Sequence, residues 1–148
     1  MVKIIEKISG EKIDLIIDKF VPENKEKGYV PTILYHIVLS GTNEIVGHCS
    51  ARLGWNEYMY YCGHIGYSVK EENRGNGFAV EAVNLVKKVF KENNINSVYI
   101  TNSPDNHASI RVCEKVGAKF VKMIEFTEEE LKKLAVSDSF KNIWKLKL

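Results

Sequence analysis

The stretch EENRGNGFAVEAVNL, residues 71–85, is the most informative part of the sequence. Its charged start gives way to Arg74, Gly75, Asn76 and Gly77, and an amphipathic helical pattern begins directly after them. Glycine disfavours the interiors of helices and strands, so two glycines at this junction require a physical reason. The first turn of a helix exposes unpaired N–H groups and the positive end of the helix dipole, which together bind anions. The stretch therefore predicts a phosphate-binding loop.

Three phosphate-binding designs place glycines between a strand and a helix. The P-loop requires Gly-x-x-x-x-Gly-Lys-Ser/Thr, which does not occur in this sequence. The Rossmann fingerprint requires a small residue three positions after its second glycine, and Val80 stands there. The third design, Arg/Gln-x-x-Gly-x-Gly/Ala, matches residues 74–79 at each fixed position. On this stretch alone, an ordinary glycine turn before a helix remains the alternative.

The composition indicates one globular domain, residues 1–148, with 45% hydrophobic and 27% charged residues. A net charge of +2 and the lack of a basic block argue against a nucleic-acid partner. Charges recur through the first 17 residues, and no apolar run is long enough for a membrane span. Three cysteines do not form a disulfide framework. We therefore expect a cytoplasmic monomer or homodimer that is not bound to membranes.

The order of elements predicts an α/β fold with a mixed, mostly antiparallel sheet and flanking helices. Strands are expected at 2–7, 32–39, 45–53, 60–69, 98–101, 119–126 and 140–148. Helices are expected at 9–20 with Ser9 as N-cap, at 78–92, from Asp105 or Asn106 to Val116, and at 127–135 with a capping box of Thr127 and Glu130. The helix at 78–92 supplies the crossover for a parallel, diverging central pair formed by IGYSV, 65–69, and VYIT, 98–101.

A second motif follows in PDNHASIRVCEKVGAKF, residues 104–120, where Asn106 and Ser109 open a helix. Together the two motifs resemble the acetyl-CoA-binding core of the GNAT superfamily of N-acetyltransferases, in the style of the ribosomal-protein alanine acetyltransferases. In that family the Arg/Gln-x-x-Gly-x-Gly/Ala loop holds the pyrophosphate, and Asn-x-x-Ser/Ala opens the next helix along the pantetheine. The resemblance covers about residues 60–120 and implies that residues 1–59 and the C-terminal strands form the acceptor side.

The resemblance also implies which residues hold acetyl-CoA, with no metal involved. Backbone groups of Tyr67, Ser68 and Val69 would pair with the pantetheine amides, because a strand edge suits an extended amide chain. Asn106 and Ser109 would line the pantetheine, although a simple helix cap is the alternative role for Asn106. The diphosphate would be held by Arg74, Gly75, Asn76, Gly77, Phe78 and Ala79.

Acetyl transfer from a thioester to an amine requires a neutral amine and a stabilised oxyanion. Glu57 and His64 are the candidate bases, and their simpler alternatives are a solvated turn residue and an ordinary strand histidine. Many family members carry a tyrosine seven residues after the asparagine, where this sequence has Cys113. Cys113 is thus either a proton donor or a small packing residue, and Ser109 is the alternative donor or relay.

The sequence therefore predicts an acetyl-CoA-dependent N-acetyltransferase that acts on a primary amine by direct transfer. A non-catalytic acyl-CoA-binding or sensor domain is the alternative. The acceptor, a small-molecule amine or a protein or peptide amine, is left open. A zinc site formed by His48, Cys49, Cys62 and His64 is disfavoured, because neighbouring strand residues point to opposite faces of a sheet.

Overall fold

The computed structural model describes residues 1–134 and 137–148. It confirms the α/β class, with helices flanking mostly antiparallel strands. The elements within this part of the chain are β1 (Lys7–Ser9), β2 (Ile13–Val21), β3 (Thr32–Leu39), β4 (Ile45–Arg52), α1 (Met59–Cys62), β5 (Ile65–Val69), α2 (Phe78–Glu92), β6 (Ser97–Asn102), α3 (His107–Lys115), β7 (Lys119–Glu125), α4 (Glu128–Leu134) and β8 (Phe140–Lys147). Among these residues, no helix combines the length and apolar character that crossing a membrane demands.

The strands form two sheets that separate between β5 and β6. One sheet has five antiparallel strands in the order β1-β2-β3-β4-β5, and the other has the order β6-β8-β7. At the junction, the His64 N–H donates to the Tyr99 carbonyl oxygen over 2.7 Å. Over the described ranges the ladders of both sheets are antiparallel and none joins β5 to β6. The two strands therefore diverge beyond this bond, and the parallel pair that the sequence predicts does not form a ladder.

Helix α2 and the five-stranded sheet build most of the core. The apolar residues of α2 recur at helical spacing and therefore share one face, which is removed from water against the sheet. Burial of this face is the main favourable term for the fold. The fully buried residues on the two sides of the contact include Ala82, Val83, Val86 and Phe90 from α2, and Ile13, Leu15, Ile33 and Ile37 from the sheet.

The predicted helix at 9–20 is wrong, because β2 occupies Ile13–Val21 and Ser9 belongs to β1. This segment pairs with β1 on one side and with β3 on the other. Its isoleucines fit a helical stripe, but their branched side chains also suit a pleated, half-buried strand. A register shift between Ile17 and Lys19 interrupts the strand alternation. Because of that bulge, the sequence does not show the alternation of apolar and polar residues that is typical of a strand.

Two further boundaries differ from expectation. The first strand lies at Lys7–Ser9 instead of 2–7, and the expected strand at 60–69 begins only at Ile65 because α1 precedes it. Helix α1 ends at Cys62 and is followed by the C-cap residue Gly63, whose φ of 78° favours glycine. The capping box of α4 is confirmed, since the backbone N–H of Thr127 and that of Glu130 each donate to the other residue's side chain over 3.1 and 3.2 Å. The last residue of that predicted helix, 135, lies outside the described residues.

Candidate active site

The loop before α2 has the backbone conformation that its glycines predict. Gly75 has a φ of 85°, and Gly77, the N-cap of α2, has a φ of 76°. Residues other than glycine rarely adopt this left-handed backbone conformation. A Cβ atom added at either glycine would meet no other atom within 4 Å. The glycines are therefore required by the backbone conformation and not by crowding, and the space in front of the loop is open.

This loop offers several hydrogen-bond donors to an anion. Within the described part of the chain, the backbone N–H groups of residues 75–79 have no acceptor, and the helical bonds begin with Glu81 N–H to Gly77 O at 3.1 Å. Arg74 is exposed, and its Nε donates to the Val69 carbonyl oxygen over 3.1 Å. This bond ties the guanidinium to the end of β5, and within the described residues its terminal nitrogens make no hydrogen bond. The arrangement is typical of a diphosphate site at a helix start.

Lys12 adds a second positive charge that the sequence analysis missed. Its Nζ donates to the carbonyl oxygen of Asn76 over 3.2 Å. The turn that carries Lys12 is held on α2 because the Glu81 carboxylate accepts the backbone N–H of Lys12 and that of Ile13, the latter over 2.7 Å. A Cβ at Gly10 would approach this carboxylate to 2.7 Å, so glycine permits the close packing. No local pattern links Lys12 with a loop 64 residues away.

The edge of β5 that faces β6 presents the backbone N–H and C=O groups of every second residue. Arg52 N–H donates to the His64 carbonyl and Lys70 N–H donates to the Val46 carbonyl, so the even-numbered residues of β5 bond to β4. By the alternation of an antiparallel ladder, Tyr67 and Val69 direct their polar groups to the open edge. Ser68 directs its backbone groups to β4. Of the three predicted pantetheine-binding residues, Tyr67 and Val69 therefore have the suitable backbone direction.

A chain of polar side chains connects β5 with α3, β6 and β8. The Tyr67 hydroxyl lies 2.7 Å from Ser109 Oγ, and Asn102 Nδ2 donates to Ser109 Oγ over 3.3 Å and to Cys113 Sγ over 3.5 Å. Trp144 Nε1 donates to Asn102 Oδ1 over 3.2 Å. Ser109 and Asn102 are buried. Asn102 and Trp144 could not be identified from the sequence, because their roles depend on contacts between distant segments.

Cys113 lies on the core face of α3 with Val112 and has no solvent exposure. Burial raises the pKa of its thiol to about 12, although hydrogen bonds with Tyr67 and Asn102 act in the opposite direction. The thiol is therefore protonated near neutral pH and is a weak acid. Burial also raises the pKa of the Tyr67 hydroxyl. These features favour a packing role for Cys113.

Asn106 is the N-cap of α3, as its Oδ1 accepts the Ser109 N–H over 3.1 Å. This interaction is the capping role that the sequence left open beside pantetheine binding. Its amide nitrogen lies on an exposed residue and is available to a ligand.

His64 and Glu57, the two candidate bases, have very different surroundings. His64 is completely buried, its Nδ1 accepts the Tyr99 N–H over 3.0 Å, and its Nε2 lies 3.1 Å from the Gly54 carbonyl oxygen. Nε2 must then carry the proton, and burial lowers the pKa of the ring to about 4. Both nitrogens are thus used in tertiary contacts. Glu57 is exposed in the turn that precedes α1.

The residues of the zinc hypothesis do not converge. His48 is exposed, whereas its neighbour Cys49 is buried on the core face of β4. In the described ranges, no group of three or more His, Cys, Asp or Glu side chains is arranged to hold a metal.

A cavity of about 380 Å³ lies where the loop after β2 meets α1 and the end of α4. Val21, Val30 and Met59 contribute its apolar wall, and Arg52 and Cys62 line it on the side of β5. Arg52 Nη1 donates to the Gly63 carbonyl oxygen over 3.1 Å. A Cβ at Gly63 would lie 3.2 Å from Thr101 N, which places this glycine against β6. The cavity thus adjoins the junction at which β5 and β6 separate.

The chain is similar to a known protein family and to several solved structures. A family model described as an acetyltransferase (GNAT) domain matches residues 6–119. None of the curated proteins matches the sequence. The apo crystal form of the ribosomal-protein α-N-acetyltransferase RimL is similar, with a TM-score of 0.67, 16% identity and coverage of 99% of this chain and 96% of that one. An acetyltransferase from Salmonella typhimurium that modifies the N-terminal serine of a ribosomal protein has a TM-score of 0.60 and 19% identity, with coverage of 83% and 66%.

The microcin self-immunity acetyltransferase MccE, solved with acetyl-CoA and AMP, has a TM-score of 0.60 and 18% identity. The match covers 84% of this chain and 63% of MccE. The chain likewise spans 64% of RimL in its CoA complex and 53% of RimJ from Mycobacterium smegmatis. It thus spans less than two thirds of these three structures. At such identities the structural likeness shows the fold alone.

Proposed function

Since this chain belongs to the GNAT family of acetyltransferases, we propose that it transfers the acetyl group of acetyl-CoA directly to the nitrogen of a primary amine. The observation that carries the proposal is the loop at 74–79, where unpaired backbone N–H groups meet Arg74 at a helix start. The solved structures with acetyl-CoA or CoA support the same donor.

The proposed donor site runs from this loop along the open edge of β5. The diphosphate accepts hydrogen bonds from the N–H groups of 75–79 and from the terminal nitrogens of Arg74, and Lys12 contributes charge. The pantetheine follows β5 and bonds to the backbone of Tyr67 and Val69, as an added strand would. Asn106 and Ser109 line its other side from the start of α3.

In the proposed reaction, a neutral amine attacks the thioester carbonyl carbon. The C–N bond forms, the C–S bond breaks, the nitrogen loses a proton to water or a base, and the CoA sulfur leaves as a thiolate that takes up a proton. An N–H group at the β5 edge is suited to stabilise the oxyanion. We assign Ser109 as the residue that positions the thioester or relays a proton, because Tyr67 and Asn102 fix its hydroxyl.

Glu57 is the better of the two candidate bases in this scheme. It is exposed beside Tyr58, which lines the cavity, so it can act on the amine through water. His64 has both ring nitrogens engaged, and the proposed role for it is to hold the junction between β5 and β6.

One observation favours a second function, a non-catalytic acyl-CoA-binding domain. Cys113, a thiol with a pKa of about 12, stands where many family members have a tyrosine. A domain of this kind would keep the donor loop and lack turnover.

The test is the release of CoA thiol from acetyl-CoA by the purified protein with a panel of primary amines, together with the mass of the acetylated product. We expect amine-dependent release, strongly reduced in Gly77→Val. Gly41→Val is the matched control, because Gly41 has a φ of 78° and open space around it but lies in the turn between β3 and β4. Acetyl-CoA binding without release for any amine would favour the second function. Absence of acetyl-CoA binding would contradict both.

A further inference from the structure

We propose that the cavity of about 380 Å³ selects an acceptor whose amine is accompanied by a carboxylate group. This inference rests on the proposed function, because it names the acceptor class for the same reaction. The carboxylate could belong to a small amino acid or to an acidic side chain next to a peptide N-terminus. The shared chemistry is a primary amine next to a negative charge.

The charge of the cavity lining is the first reason. Lys27, Arg52 and Lys133 all line it, and its lining within 1–134 and 137–148 contains no aspartate or glutamate. Three positive charges around one cavity repel a protonated amine unless the acceptor brings a negative charge with it. The same field favours the neutral form of the amine, which is the form that attacks the thioester.

Several contacts hold the backbone of the loop that carries Lys27, so this lysine extends from a fixed point beside the cavity. Asn24 and Tyr29 exchange backbone hydrogen bonds of 3.0 and 2.9 Å, and the Lys27 N–H donates to the side chain of Asn24 over 3.2 Å. Asn56 Nδ2 donates to the Gly28 carbonyl over 2.9 Å. Because the loop is already ordered, only the lysine side chain has to be immobilised when an anion binds, which lowers the entropic cost of the contact.

The other two cations complete the arrangement. Lys133 Nζ lies 6.0 Å from the centre of the Tyr58 ring, which also lines the cavity. Arg52 is fixed by the Gly63 carbonyl at the β5–β6 junction. An acceptor carboxylate held among these cations would leave its amine close to the junction, where the proposed thioester lies. Charge and position therefore point to the same class of acceptor.

The experiment compares isosteric acceptors that differ only in charge. One arm uses γ-aminobutyrate and its amide, and the other uses the C-terminally amidated peptides Ser-Asp-Glu-Ala and Ser-Asn-Gln-Ala. We expect the carboxylate member of at least one pair to have a kcat/KM about tenfold higher or more, mainly through KM. The arm with the larger ratio identifies the source of the carboxylate. The ratio should decrease as ionic strength rises from about 0.05 to about 0.5 M, because salt screens exposed charges.

Variants link this preference to the cavity. The double change Lys27→Gln with Lys133→Gln should lower the carboxylate-to-amide ratio to below about threefold, given that an exposed charge contributes a few-fold to binding. The matched control is Lys25→Gln with Lys132→Gln, since these lysines are exposed neighbours that do not line the cavity. The control should keep the ratio of the parent protein.

The outcomes separate this inference from the proposed function. If amides are acetylated as well as or better than carboxylates, the acceptor class is wrong and the acetyltransferase function stands. If the carboxylate preference persists in the Lys27 and Lys133 double variant, the cavity does not select the acceptor. If no amine is acetylated, the proposed function fails.

Discussion

The proposed donor loop and the proposed acceptor cavity are built in different ways. The loop is one continuous stretch, residues 74–79, and it offers mainly backbone N–H groups in a conformation fixed by two glycines. The cavity takes side chains from segments as far apart as Lys27, Arg52, Met59 and Lys133. The first depends on local backbone geometry, and the second depends on tertiary packing.

Each half is therefore sensitive to a different kind of substitution. A single side chain at a left-handed glycine can disable the donor loop, because the loop conformation and the access of an anion both depend on it. The cavity shares its charge among three side chains, so the loss of one changes specificity more than it changes binding.

The largest effect is expected for Gly77→Val on the affinity for CoA. Valine is strained at a φ of 76° and its branched side chain would stand in front of the backbone N–H groups. Losing two or more bonds to a charged group, at ~1.5–3 kcal/mol each, predicts a Kd increase of more than about 100-fold by calorimetry. Gly41→Val controls for backbone strain. A folded Gly77→Val protein with parental CoA affinity would place the donor site elsewhere.

The stability of the protein should depend on pH through His64, which lies at the junction of β5 and β6. The pKa of this histidine is near 6.5 in the unfolded chain, and burial lowers it to about 4 in the folded protein. The stability that the neutral ring confers is therefore complete above about pH 6.5 and is lost as the pH falls towards 4, by about 3 kcal/mol in total. Urea unfolding at several pH values measures the loss, and His64→Gln should remove this component. A ring that titrates near 6.5 by NMR would contradict the buried contacts.

Arg74→Ala should weaken the affinity for CoA less than Gly77→Val does. It removes charge-assisted bonds and leaves the backbone of the loop intact, which corresponds to about 10- to 100-fold in Kd. Arg111→Ala, at an exposed arginine of α3, serves as the control for a change in net charge. An Arg74 effect larger than that of Gly77→Val would mean that side-chain charge, not backbone donors, dominates the donor site.

Ser109→Ala and Cys113→Ala should separate the two candidate proton donors. We expect Cys113→Ala to keep kcat within about tenfold, because a true general acid contributes ~10²–10⁴ and a thiol with a pKa of about 12 is a poor one. Ser109→Ala should lower kcat by more than Cys113→Ala does. Steady-state rates across pH decide between them. A collapse of kcat in Cys113→Ala alone, at unchanged CoA affinity, would make the cysteine the donor.

The smallest effect is expected for Lys12→Ala. Its Nζ contacts the loop at the Asn76 carbonyl oxygen, on an exposed turn. An exposed charge of this kind contributes about 0.2–1 kcal/mol, so the Kd for CoA should rise about 1.4- to fivefold at low salt and less at high salt. Lys7→Ala, an exposed lysine of β1, is the control. An effect that does not depend on salt would argue against an electrostatic role.

The sequence predicted the local structure of the segment from β5 to the start of α3 well, and the reasons are physical. Strand, loop and helix α2 follow one another, and each has a local signal: the glycines of the loop, the helical spacing of Ala82, Val83 and Val86, and the cap at Asn106. The acceptor half lacked such signals. The bulge in β2 disguised a strand as a helix, and the partners Lys12 and Asn102 are defined only by contacts across the fold.

The most direct test of this division is a titration of the backbone amide signals by two-dimensional NMR, first with CoA and then with the carboxylate-bearing acceptor that the protein prefers. The account predicts that CoA shifts the amides of residues 75–79 and the neighbouring β5 edge at Tyr67 and Val69. The acceptor should shift those of 27–30 and 58–62. Largest CoA-induced shifts at 27–30, with the amides of 75–79 unchanged, would contradict it.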